Sequence, residues 1–170
     1  MKKVIVYFLF ILVLFLLQSS FFCYLKLADV VPNLLIILTV SVALMGGRTE
    51  GCLVGFFCGL LLDISYGSIP GLYAMGFLLT GYFAGFFNRI FYREDITLPI
   101  IIIAGGDLFY GLYMFITGFL SRGRTDFLFY LRRIILPEAA YTVIIAIFLY
   151  RLILFIYVRY LNKGSESSFA

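Results

Sequence analysis

The sequence predicts an all-α membrane protein, a polytopic bundle of six transmembrane helices with one short or partly re-entrant member. Of the 170 residues, 64% are hydrophobic and 13% charged, against about 45–50% and about 25% in an average soluble domain. Mean hydropathy is +1.09. The apolar residues fall into runs approaching the roughly 20 that a helix needs to cross a hydrocarbon core of about 30 Å. What remains is short loops and a polar ending, "NKGSESSFA", too little for a water-soluble domain. Residues 1–162 are therefore expected to form one transmembrane bundle, and 163–170 a short polar tail.

The first span runs from about Val4 to Tyr24. Lys2 and Lys3 before an apolar run would also suit a cleavable signal peptide. The apolar character continues past Gln18, however, with no small-x-small cleavage site, and Phe21 and Phe22 before Cys23 do not suit a lipoprotein-type site. An uncleaved span is expected. The second span, Val30 to Met45, starts at Pro32-Asn33, and Gly46-Gly47-Arg48-Thr49-Glu50 is the turn that follows. The third, Gly51 to Leu62, has so few strictly apolar residues that it equally suits a re-entrant or protein-buried segment. The fourth covers Gly71 to Phe87, the fifth Leu98 to Phe119 and the sixth Ile134 to Val158. Between the last two, "SRGRTDFLFYLRR" suits either an amphipathic helix lying at the interface or a plain charged loop.

Charge sets the orientation only weakly. With six spans and the N-terminus inside, Lys2, Lys3, Arg48, Arg89, Arg93, Arg159 and Lys163 lie inside, against Lys26, Arg122, Arg124, Arg132 and Arg133 outside. If the third segment does not span, the balance is again seven to five, so only the inside N-terminus gains support. The net charge of +4 comes from bases scattered over loop ends. They suit anchoring at an anionic membrane surface rather than nucleic acid, which needs a dense basic face. Cys23, Cys52 and Cys58 lack CxxC spacing and read as inert packing residues. Without a histidine, neither Ser–His catalysis nor a His-ligated metal is possible.

Glycines recur every fourth residue at Gly51, Gly55 and Gly59; the next step lands on Asp63 and two more on Gly67 and Gly71. Helices in lipid gain little from hydrophobicity against one another, and small residues four apart let their backbones approach. The stripe therefore marks a packing face, for a helix of this chain or of a partner. Asp63 reads either as a cap for the helix that starts near Pro70 or as a buried ligand or partner contact. Asp107 and Arg151 fall at comparable depths in neighbouring antiparallel spans. Each alone would cost several kcal/mol in the bilayer, so an ion pair is expected, with a proton or ion relay as the rival. Glu138 after Pro137 suits the first turn of the last helix, as a dipole-capping acid. No nucleophile–base pair, metal cluster or phosphate loop is present, and no cofactor is expected. The acids lie on separate segments, so no catalytic carboxylate pair follows from spacing.

Over nearly its whole length the chain resembles the MreD family, small integral membrane proteins of the bacterial rod-shape system. The resemblance rests on the basic N-terminus with its long span, on "VPNLLIILTV", on "GFFCGLLLDISYGSIPGLYAMGFLL" and on "ILPEAAYTVIIAIFLYRLI". Its most specific part is the pattern Gly55, Gly59, Leu62, Asp63, Gly67 and Gly71, with Pro32-Asn33-Leu34 at the second span. The resemblance implies six helices, both ends cytoplasmic, and a fold like the substrate-binding subunits of energy-coupling-factor vitamin transporters. It implies a non-enzyme of the bacterial cell membrane whose partners are a bitopic MreC-like protein, an MreB-like actin-type filament and a peptidoglycan polymerase–transpeptidase pair. The alternative is a binding subunit of a small-molecule, vitamin-type transporter. A membrane enzyme acting on a lipid-linked substrate lacks convergent acid–base groups.

Overall fold

The computed structural model describes residues 2–24, 30–67, 69–91, 95–119, 123 and 126–161. Lys26, Arg93, Arg122, Arg124 and the polar tail lie outside the described residues. The rest forms six helical rods: α1 (residues 2–24), α2 (Leu34–Gly46), α3 (Arg48–Tyr66), α4 (residues 72–90), α5 (residues 97–119) and α6 (residues 127–161). Four are long and apolar enough to cross a membrane, over Lys3–Phe21, Arg48–Tyr66, Thr97–Gly118 and Phe127–Arg159.

The rods run alternately up and down, and their register can be read from close approaches. Gly51 lies against Ala43 and Gly81, Gly55 against Thr39 and Phe77, and Gly59 against Ala74. These pairings make α3 antiparallel to both α2 and α4. On the other side Asp107 lies beside Thr142 and Gly111 packs on Ile135, so α5 and α6 are antiparallel too.

The short member is α2, and its place explains its sequence. Every residue from Leu34 to Leu44 is buried, because α1, α3, α4, α5 and α6 all pack around it. A helix apolar all round is what such a site requires. Its polar residues turn inward on their own backbone, Thr39 Oγ1 donating to Leu35 O and Ser41 Oγ to Ile37 O.

The third segment differs from its expectation. It is a continuous 19-residue helix, Arg48–Tyr66, neither short nor re-entrant. Gly47 alone makes the turn, with φ +89°, so Arg48, Thr49 and Glu50 form the first turn of α3 instead of loop. The last segment differs as well. The residues from Phe127 onward continue into the final helix rather than forming a separate interfacial one; Ser121, Arg122, Arg124 and Thr125 lie outside the described residues. Pro137 lacks an N–H, and its ring clashes with the carbonyl four residues back in a regular helix. A wider π-type turn at Leu131–Ile135 lets the helix run through it. Pro137 and Glu138 are thus interior positions, and the expected capping role of Glu138 at a helix start does not apply.

Candidate functional site

Three polar assemblies hold the bundle, and each can be built from the residues upward. The first is the seam between α3 and α4. The glycines leave no side chain between the two backbones, and α4 answers with Gly81 and Gly85, four residues apart; Gly85 meets the backbone of Arg48. That second stripe was readable in the fourth segment. At the end of the seam Asp63 accepts from Tyr73 N at 3.0 Å and from Ala74 N at 2.9 Å. A carboxylate on two free N–H groups of a first turn is a favourable arrangement. Gly67 closes α3, its N–H donating to Asp63 O. Pro70 lies in the turn before α4, and Gly71, at φ +88°, caps that helix in the left-handed region. The six residues from Gly51 to Gly71 are spent on joining two helices of the same chain.

The second assembly sits at the end of the bundle near the N-terminus. Glu50 accepts from the Tyr7 hydroxyl at 2.5 Å and lies 3.5 Å from Lys3 Nζ, which ties α1 to α3. Asn88 donates to Leu44 O, satisfying a carbonyl of the last turn of α2. The Arg48 guanidinium lies 3.6 Å from the Phe86 ring centroid. Before folding, Glu50 is just one acid in a presumed turn, and nothing in its sequence neighbourhood points to Tyr7.

The third assembly surrounds the buried start of α2. Pro32 precedes the helix and Asn33 caps it, its Oδ1 accepting from Ile36 N at 3.3 Å. The remaining first-turn donors also find acceptors: Leu34 N donates to Pro32 O, Ile37 N to Asn33 O, and Leu35 N to Gln18 Oε1 of α1. Asn33 N donates to Thr142 Oγ1 at 3.1 Å. Against this group lie two carboxyls from different helices. Asp107 of α5 is 3% exposed, beside Thr142, and neither of its oxygens has a hydrogen-bond partner among the described residues. Glu138 of α6 lies beside Asn33 and within electrostatic range of Asp107. Sequence spacing could not reveal this pair, since 31 positions separate the two residues and only the α5–α6 register joins them.

Arg151 is no part of it. It is exposed on the outer face of α6, whereas Tyr150 and Ile153 point inward. It also lies nine residues beyond Thr142, a displacement of about 13 Å along the helix. The expected Asp107–Arg151 pair is therefore corrected on both phase and depth. Arg151→Leu is expected to leave thermal stability within about 0.5 kcal/mol of wild type, as for other outward positions. Rescue of Asp107→Arg by Arg151→Asp, read as accumulation in the membrane, would instead restore the pair.

Among the described residues no three His, Cys, Asp or Glu side chains come together as a metal cluster. Cys58 is buried between helices, and Cys52 is half-buried. A family model described as rod shape-determining protein MreD matches residues 1–161. No curated protein and no solved structure shows a match.

Proposed function

This chain belongs to the MreD family of rod shape-determining proteins of the cytoplasmic membrane, and from that premise we propose that it is a non-catalytic integral component of the bacterial cell-elongation complex. In this reading it holds an MreC-like bitopic protein and couples the peptidoglycan polymerase–transpeptidase pair to MreB-like filaments. The observation that carries it is the extent of the family match, residues 1–161 of 170. The six helical rods support the further expectation of a fold like energy-coupling-factor substrate-binding subunits.

The glycine face is occupied by the chain's own α2 and α4, so partner contact falls on outward faces such as Leu53, Phe57, Leu60 and Ile64 of α3. Photo-crosslinkers at these four positions are expected to capture an MreC-like partner in mild detergent, and depletion is expected to round the cells. Rod-shaped cells after depletion, with no bitopic protein captured, would sink the proposal. The buried carboxyls favour one rival, a small-molecule binding subunit. Saturable stabilisation by a vitamin-like compound, with cell shape unaffected by depletion, would favour it instead.

A further inference from the structure

The carboxyl of Asp107, beside the start of α2, is used neither by helix capping nor by a scaffolding role. We propose that Asp107 and Glu138, with Asn33 and Thr142, form a buried binding site for a hard divalent cation of the Ca2+ or Mg2+ class. The site lies in the half of the bundle away from the N-terminus.

Asp107 is the central observation, a 97%-buried carboxyl without a hydrogen-bond partner among the described residues. The backbone donors nearby are engaged elsewhere, and the side chain that faces it is the Thr142 hydroxyl. All four first-turn N–H groups of α2 have other acceptors, and the N–H of Asn33 goes to Thr142. Among the described residues no basic side chain compensates the two acids. Arg151 faces outward, Arg132 and Arg133 are exposed, and Lys3 pairs with Glu50 near the other end. A helix N-terminus supplies roughly half a positive charge. Against two carboxylates that leaves a deficit that a divalent ion would balance.

The donor set fixes the kind of ion. Carboxylate, amide and hydroxyl oxygens suit hard cations, while zinc and copper favour nitrogen or sulfur ligands that are missing here. The carbonyl oxygen of Asn33 and the hydroxyl of Thr142 each accept one hydrogen bond and keep capacity for a second partner. The occupant is small. Asp107 lies inside the fold, out of reach of a partner's side chain, and Glu138 is half-buried.

Terbium tests the site, because it occupies Ca2+ sites and emits when a nearby aromatic ring is excited. The chain has 13 tyrosines and no tryptophan, and Tyr110 and Tyr130 lie within electrostatic range of Glu138. The purified full-length protein is expected to give saturable tyrosine-sensitised Tb3+ emission that Ca2+ or Mg2+ displaces and Na+ at equal ionic strength does not. The emission should fall at least tenfold in Asp107→Asn and in Glu138→Gln, and persist in Asp126→Asn, an exposed acid. Should Asp107→Asn fail to fold, Glu138→Gln carries the comparison, with thermal melting as a second reading. There Ca2+ or Mg2+ raises the wild-type midpoint and leaves that of the variant unmoved. Emission undiminished in both variants, displacement by Na+ alone, or a wild type with neither emission nor a cation-dependent midpoint overturns the proposal. None of these outcomes depends on partner capture or cell shape.

Discussion

Gly55→Ala and Gly59→Ala are each expected to destabilise the bundle by about 3 kcal/mol, at the upper end of what overpacking costs, although alanine is the better helix former. A Cβ at Gly55 would lie 2.5 Å from Phe77 O, and one at Gly59 2.5 Å from both Tyr73 O and the Ala74 Cα. These are backbone atoms, so relief requires α3 and α4 to separate. Separation strips contacts along the whole seam, and in lipid no hydrophobic gain compensates for it. Gly105→Ala is the control. Its added Cβ meets nothing within 4 Å, so it should be neutral or stabilising by up to about 1 kcal/mol. Thermal unfolding in detergent, read by a size-exclusion assay, compares the three. Equal midpoints for Gly55→Ala, Gly59→Ala and Gly105→Ala would show that the seam is not close-packed.

Removing the carboxylate of Asp63 should have the next largest effect. Asp63→Ala leaves the N–H groups of Tyr73 and Ala74 without their acceptor at the start of α4. Hydrogen bonds to charged groups contribute about 1.5–3 kcal/mol each, and partial solvation of this half-buried position lowers the sum, so a loss of about 3 kcal/mol is expected. Asp63→Asn should cost about half as much, because its amide oxygen keeps one bond while the NH2 group faces the other donor. The ordering Ala below Asn below wild type, in thermal midpoint, is the signature of a cap. An Asn variant as stable as wild type but unable to support rod shape would make Asp63 a partner contact instead.

The two predictions differ in how far they could be foreseen. The i, i+4 glycine spacing already meant close helix packing, because in lipid small residues at that spacing have one principal use. Whether the neighbour was internal could not be read, since spacing describes one face and says nothing of what meets it. Asp63 as a cap was legible because Gly67, Pro70 and Gly71 placed a helix start a short turn away. The same reasoning failed at Pro137-Glu138, where a π-type turn upstream accommodates the proline within one long helix. It failed again for Asp107 and Arg151. Equal depth in antiparallel spans is necessary for a pair, but the rotation of each helix about its axis decides which side chains face each other, and depth says nothing of rotation.

By itself, then, the sequence determined a helical membrane protein, the approximate course of its apolar segments and a close-packing glycine face. All of these depend on local composition and short-range periodicity, which a single chain segment carries whole; the family resemblance rests instead on motifs spread along the chain. Only the tertiary structure decided that α2 is the central helix, that α4 fills the glycine face, that Glu50 reaches Tyr7, and that Asp107 and Glu138 come within electrostatic range of each other near Asn33 and Thr142. Each of those facts depends on the relative rotation and register of helices distant in sequence. That choice is made by the packing of all six helices at once.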